Sequence, residues 1–480
     1  MTEPEARAVQ HVGVAISGGG HRATIWGLGT LLYLVDVGKH REVAAIASVS
    51  GGSITNGVVA HEVDYPTVDE ATFDRKVAPL VRHVADVGLF FWGPATNAYV
   101  LSLFAGVSIG LLGLVVGAVL LCLDGLSWRS GTTLLGAIVV LGLAARFFEQ
   151  RSAVVDRALA QTHFSRDGQA TRLGDVARSI DHVMCATELQ SGEHLYLSPR
   201  FLYSYRVGQG RPEQLRLSTA VQASACLPGA FAPRRLSTAS YGFSGGVGGG
   251  ASAQVVLLTD GGVYDNMADQ WFDGLDARLR HAATLPAVGR QVDEVVVVNG
   301  SSPVPWTELR RAHLVLLGEL ATLMRVNSVM YQVTTERRRF SLVHDWDQAQ
   351  RARDEGASAG ARGALVHIAQ SPYTVADYYR RATAWPDRAE RARAVLDLLG
   401  DDPAARRRWE DITVASTRVP TVLRKLGRQT TIDLLEHAYT LSMCNLHVLL
   451  GYPLGPLPSR ERFERLLGPS ADVPARTSPR

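Results

Sequence analysis

Ala98 to Leu123 carry no charged side chain and are rich in Leu, Val, Gly and Ala. Such a run exceeds the ~20 residues a helix needs to cross the hydrocarbon of a bilayer. A polar break follows at Asp124-Gly125-Leu126-Ser127-Trp128-Arg129-Ser130, and Gly131 to Ala145 is again uncharged, ending at Arg146. The second run reaches spanning length if Leu126 to Trp128 and Phe147-Phe148 lie at the interfaces, where aromatic rings prefer to sit. Gly106-x-x-x-Gly110 and Gly113-x-x-x-Gly117 offer small faces for close helix packing. The sequence therefore predicts a transmembrane hairpin, with spans at about 98–123 and 126–146, inside an inserted segment 87–152. The competing readings are a buried core hairpin, or one membrane helix beside a surface helix.

Two spans return the chain to the side it left, so the parts before and after the insert can form one body. Arg82, Arg146 and Arg151 flank the membrane on that side, whereas the loop between the spans carries only Asp124 and Arg129. Positive charge collects on the cytoplasmic side of membrane proteins. Met1 to Arg7 is polar and acidic, without the basic and apolar regions of a secretory signal. The expectation is a multi-pass membrane protein whose main body is cytoplasmic.

Three apolar runs outside the insert end in chemistry. Val12 to Ile16 runs into Ser17-Gly18-Gly19-Gly20-His21-Arg22-Ala23, followed by Ile25, Leu28, Leu31, Leu32 and Val35 at helical spacing. Glycine lets the backbone approach a ligand closely, and amides at a helix start attract negative charge. Ala44 to Val49 stops at Ser50-Gly51-Gly52-Ser53. That pattern is close to G-x-S-x-G, where small residues let a strand turn sharply into a helix and leave a serine exposed at the crease. Ser48 stands where the pattern has its first glycine. Gln254 to Thr259 ends at Asp260-Gly261-Gly262. Sites in open α/β sheets form at the carboxyl ends of strands. A serine needs a base to take its proton, and Asp260 is the candidate. The amides of Gly18, Gly19 and Gly20 are candidates to hold an oxyanion.

A dinucleotide-binding oxidoreductase competes for the first loop, because Gly18-x-Gly20-x-x-Ala23 after a strand fits G-x-G-x-x-[GA]. That pattern wants an acid ending the second strand, roughly 20 residues on. Asp36 is the candidate, but it falls in the continuing helical run Leu31 to Val37.

Taken together these segments resemble the patatin-like phospholipases. The loop Ser17 to Ala23 is most similar to that of the cytosolic phospholipase branch. Ala186-Thr187-Glu188-Leu189-Gln190-Ser191-Gly192-Glu193 resembles the family's second strand–turn block, and Ala220 to Pro233 its helix-to-proline block. The resemblance covers most of residues 10 to 300 apart from the insert. It implies Ser50 as nucleophile and Asp260 as its partner in a Ser–Asp dyad. Arg22 would bind a phosphate headgroup, with a structural salt bridge as the alternative. It also implies a three-layer α/β/α fold and hydrolysis of a carboxylic ester in a membrane lipid, with no cofactor or metal.

The expected organisation is a first catalytic segment 10–86, the insert, a second catalytic segment 153–302, a helical C-terminal region 303–460 and a polar tail 461–480. Glu294 to Asn299 is predicted as a strand, Leu309 to Tyr331 as an amphipathic helix lining an acyl groove or packing on the core, and Trp385 to Asp411 as a solvated helix. Tyr241 to Gly250 reads as a flexible loop, and a long helix runs through Leu450. Cys122, Cys185, Cys226 and Cys444 are far apart and read as reduced thiols. No Cys/His cluster has zinc spacing. A net charge of +3 gives no electrostatic case for nucleic acid. A membrane-tethered scaffold or signalling protein with weak catalysis is the reading from a different class.

Overall fold

Every residue of Val12–Ile16 and Val43–Ser48 is buried, as expected of strands covered on both faces. The computed structural model describes residues 11–89, 94–280, 289–304, 306, 315–357 and 360–469. Its strands in chain order are β1 (Val12–Ile16), β2 (Val43–Ser48), a small hairpin of β3 (Ser165–Arg166) and β4 (Gln169–Ala170), and β5 (Asp181–Glu188). Then come β6 (His194–Leu197), β7 (Leu202–Ser204), β8 (Gly208–Gly210), β9 (Arg234–Ser237) and β10 (Ser244–Gly245). The last three are β11 (Val255–Asp260), β12 (Glu294–Asn299) and β13 (Arg362–His367).

The main sheet runs β10-β8-β7-β6-β5-β2-β1-β12-β13, with β11 joining β5 to β9 off that path. Its centre, from β5 to β13, is parallel. The β6 to β10 side is antiparallel, and so is β11 on β5. Side chains alternate between the two faces, as the period of a strand requires. Val12, Val14, Ile16 and Ile46 join one apolar core, while Ala15, Ala45, Ala47, Val295 and Val297 join the other.

The helices before β3 are α1 (Gly20–Asp36), α2 (Gly51–Glu62), α3 (Glu70–Arg82), α4 (Pro94–Asp124), α5 (Trp128–Phe148) and α6 (Arg151–Thr162). They are followed by α7 (Leu217–Ser224), α8 (Gln270–Asp273), α9 (Leu275–Arg280) and α10 (Val315–Asp354). The rest are α11 (Tyr373–Tyr379), α12 (Pro386–Leu399), α13 (Pro403–Arg418), α14 (Arg428–Leu450) and α15 (Arg460–Leu467). α1, α2 and α14 supply Leu28, Ile54 and Leu435 to the first core; α8 and α10 supply Trp271, Leu342 and Trp346 to the second. The result is three layers with the sheet in the middle.

α4 and α5 form the expected hairpin. Its small residues make the contact: methyl groups at Gly110, Gly113 and Gly117 would stand 2.6–2.9 Å from Leu141, Ala137 and Leu134. Tyr99 closes its base by donating to the Phe147 carbonyl at 2.9 Å. Both helices are long and apolar enough to cross a membrane, and only 11% of each one's most apolar stretch is buried. Phe104, Leu112, Leu135 and Leu143 face outward. The buried core hairpin is therefore not what forms.

The C-terminal region departs from expectation. It is not purely helical: β13 pairs with β12 in register from Glu294/Arg362 to Asn299/His367 and ends the sheet. α14 is a core helix whose Ala438 presses on Gly29 of α1, where an added methyl would stand 2.7 Å away. The stretch expected as one solvated helix is two, α12 and α13, and buries Ala392, Val395, Leu396 and Trp409. Ser244–Gly245, inside the expected loop, pairs with β8. The start of the helix expected from Leu309 lies outside the described residues. The expected polar tail begins as a folded helix: α15 buries Phe463, Leu466 and Leu467, and its Arg462 grips Asp36 and Asp74. Residues 470–480 lie outside the described residues.

Candidate active site

β2 ends at Ser48 and α2 starts at Gly51, so Ser50 carries the whole reversal. Its φ is 52° and ψ −120°. A non-glycine residue held there stores on the order of 1–3 kcal/mol of strain, which the surroundings must enforce. They do so through hydrogen bonds: the Ser50 amide donates to the carbonyl and hydroxyl oxygens of Ser224, each at 3.2 Å. Ser224 in turn donates to the Cys185 carbonyl at 2.6 Å. The two glycines after Ser50 have a steric cause. A methyl on Gly51 would stand 2.0 Å from the Gly20 carbonyl oxygen, and one on Gly52 2.6 Å from that of Ile16.

Ser48 is accommodated by hydrogen bonding. Its hydroxyl donates to the Val183 carbonyl at 3.2 Å and accepts from Ser53 at 3.0 Å and Asn56 at 2.9 Å. The extra atom is tied down inside the sheet and does not disturb the crease.

β11 reaches the site from an unexpected direction. It runs antiparallel to β5, with Asp260 opposite Ala186, while Ser48 lies opposite Met184. Asp260 thus arrives beside the end of β2 without sharing its direction. The carboxyl is buried, and Oδ1 accepts from the Gly262 amide at 2.8 Å. Burial pushes its pKa up to about 6, opposed by the Gly262 amide and the Ser50 hydroxyl. Oδ2 is buried and makes no hydrogen bond among the described residues. The Ser50 hydroxyl is therefore near enough to favour the carboxylate, yet no bond of ordinary length and angle is closed. Such contacts are often loose before substrate binds.

The glycine loop divides. The Gly18 amide is engaged by the Asn266 carbonyl at 2.9 Å, so it does not point to a ligand. This removes Gly18 from the expected oxyanion donors. Gly19 (φ 141°) and Gly20 (φ 60°) take backbone conformations that suit glycine, and their amides precede the first hydrogen-bonded turn of α1. Gly51 likewise opens α2. Gly20 is backed by Val422, whose carbonyl accepts from the His21 amide at 2.9 Å.

The family model described as patatin-like phospholipase matches residues 14–268, just over half of the sequence. The chain belongs to the patatin-like phospholipase family. Its three-layer body is the patatin fold. No curated protein matches the sequence significantly. Among solved structures, human GIVD cytosolic phospholipase A2 is 13% identical with a TM-score of 0.35, covering 62% of this chain and 44% of that one. VipD from Legionella pneumophila is 12% identical with a TM-score of 0.27, covering 91% and 92%. The chain thus spans less than half the length of the first of these.

In this patatin-like chain the other expected contacts fall differently. Arg22 is buried, and Nε donates to the Gly300 carbonyl at 2.7 Å, Nη1 to the Val419 carbonyl and Nη2 to the Thr421 hydroxyl at 3.2 Å. All three of its nitrogens donate to the protein, and none of these partners is a carboxylate. Neither a headgroup site nor a salt bridge describes it; Arg22 pins residues 419–421 to the glycine loop. Asp36 ends α1 and is held by Arg462 and Tyr439, which removes the acid a dinucleotide site would need. No group of three His, Cys, Asp or Glu that could hold a metal occurs among the described residues.

Asn266 escaped notice in the sequence. Its side-chain oxygen lies 2.4 Å from where a Gly18 methyl would stand and 2.6 Å from where a Gly262 methyl would stand. It links the loop to the Asp260 turn. The only signal for it was its closeness to Asp-Gly-Gly.

Proposed function

We propose that this chain is a membrane-anchored serine acyl hydrolase that cleaves a carboxylic ester of a lipid with a Ser50–Asp260 dyad. The observation that carries the reading is a serine held at a strained crease beside a buried carboxylate whose second oxygen has no partner among the described residues. Asp260 accepts the Ser50 proton, Oγ attacks the acyl carbonyl, and the Gly19 and Gly20 amides, with that of Gly51 at the start of α2, stabilise the oxyanion. The tetrahedral intermediate collapses, the alcohol leaves with the proton from Asp260, and water hydrolyses the acyl-enzyme.

Family membership supports a lipid as substrate. The apolar outer face of α4 and α5 supports anchoring in a bilayer, which keeps the enzyme beside that substrate. With Arg146 and Arg151 at the returning end of the hairpin, the catalytic body lies on the cytoplasmic side. The test is release of fatty acid from phospholipid vesicles by the purified protein, with fluorophosphonate labelling of Ser50. A protein that neither takes the label nor releases fatty acid leaves the scaffold reading in its place.

A further inference from the structure

Two buried polar atoms near the crease have no hydrogen-bond partner among the described residues. One is Asp260 Oδ2; the other is the hydroxyl of Tyr331, on α10. Gly262 measures how near they are. A methyl there would stand 2.7 Å from Tyr331 Cε1 and 3.0 Å from Asp260 Oδ1. Cε1 neighbours the carbon that bears the hydroxyl, so the hydroxyl end of the ring meets the carboxylate turn. Burial and the Asp260 charge both raise the phenol pKa, so the group keeps its proton and can only donate or accept a hydrogen bond. Buried donors are partnered as a rule, and an exception beside a reacting group points to a partner that arrives with the substrate.

Chemistry selects that partner. The oxyanion belongs to the glycine amides. Asp260 has to face the other oxygen, because it returns the Ser50 proton to the departing alcohol. Tyr331 stands on the Asp260 side. Resting on the hydrolase reading, we propose that Tyr331 is a further catalytic residue, donating a hydrogen bond to the leaving-group oxygen of the bound ester. The bond from Ser50 Oγ to the acyl carbon forms, and the bond from that carbon to the alcohol oxygen breaks. The Ser50 proton passes through Asp260 to that oxygen, and Tyr331 keeps its own. Such help matters for an aliphatic alcohol, which leaves poorly, and hardly at all for a nitrophenol. Tyr331 lies beyond residues 14–268, so α10 adds this group from outside the matched family domain.

The experiment compares the full-length protein with Tyr331→Phe on two esters of one fatty acid, a p-nitrophenyl ester and a glycerol ester. kcat/KM on the glycerol ester should fall about 10- to 100-fold, as for loss of one hydrogen bond to an oxygen developing negative charge. On the p-nitrophenyl ester it should change less than about twofold, with fluorophosphonate labelling and Tm retained. Equal losses on both esters, or none on the glycerol ester, overturn the proposal while leaving the hydrolase intact. If the unsubstituted protein takes no label and cleaves neither ester, the hydrolase reading falls and Tyr331 with it.

Discussion

The backbone carbonyl of Asn266 accepts the Gly18 amide proton at 2.9 Å. A turn from one strand end thereby sets the height of a loop from another. Gly18 has no room to move, since an added methyl would stand 2.4 Å from Asn266 Oδ1 and 3.3 Å from Ser50 Cβ. Gly18→Ala should push the loop off the crease. The expected result is a loss of kcat of at least about tenfold, consistent with the cost of a small misplacement at a reacting centre. Steady-state kinetics on a soluble ester measures it, and unchanged kcat would show that the loop does not bear on the reaction.

Ser50→Ala should remove at least about 10³-fold of activity. Folding should be preserved, because the hydroxyl is not part of the packing that holds the crease. An esterase assay beside a melting curve checks both. Activity equal to that of the unsubstituted protein would refute the nucleophile.

Asp260→Asn separates catalysis from stability. As base, Asp260 must be ionised, so activity should rise with pH through about 6. The folded carboxyl keeps its proton up to about 6, whereas the unfolded chain releases it near 3.8, so stability falls as pH rises through that window and is level above it. The displacement corresponds to about 3 kcal/mol. The asparagine variant escapes this loss. Its Tm relative to the unsubstituted protein should climb between about pH 4 and pH 6 and stay level above that, while its activity stays near that of Ser50→Ala and of the double variant. Calorimetry across pH decides; a constant Tm difference would contradict a strained carboxylate.

Arg22→Ala should cost stability without changing headgroup preference. It strips donors from the Gly300 and Val419 carbonyls, at about 1–3 kcal/mol for each left unpartnered. Charged phospholipids and neutral esters should lose rate by the same factor. A selective loss on the charged lipid would restore a headgroup role.

Removing Ala98 to Ala145 and joining the ends with a short polar linker should release the protein from membranes. Hydrolysis of soluble esters should persist, because no residue of the site lies in the hairpin. Hydrolysis of bilayer lipid should fall, since tethering sets the local concentration. An insoluble, unfolded product would show that the hairpin supports the fold.

The sequence made the strand ends readable because each is an apolar run stopped by small or charged residues, as at Ser50 and Asp260. The hairpin was readable for a similar reason: a helix in water needs charged or polar residues on its wet face, and Ala98 to Leu123 has no charge to offer. What stayed hidden depends on neighbours far along the chain. Arg362 to His367 is too short an apolar run to be told from a loop until β12 is beside it. Arg22 was expected to bind phosphate through the family resemblance alone, which says nothing about the carbonyls of Gly300 and Val419. Asn266 and Tyr331 gain their meaning only from proximity to Gly262. β11 gave the expected residue through an unexpected direction, since a strand end can be brought to one edge of a sheet from either side.

The position of the hairpin also has a consequence in time. A ribosome makes Ser50 first, then α4 and α5, and only afterwards Asp260, Tyr331 and the Val419–Thr421 segment that Arg22 secures. On the proposed reading, the nucleophile is moored at the bilayer before its base exists. On that reading a nascent chain cleaves no lipid until synthesis has passed the mooring, and by then it is already held where its substrate lies.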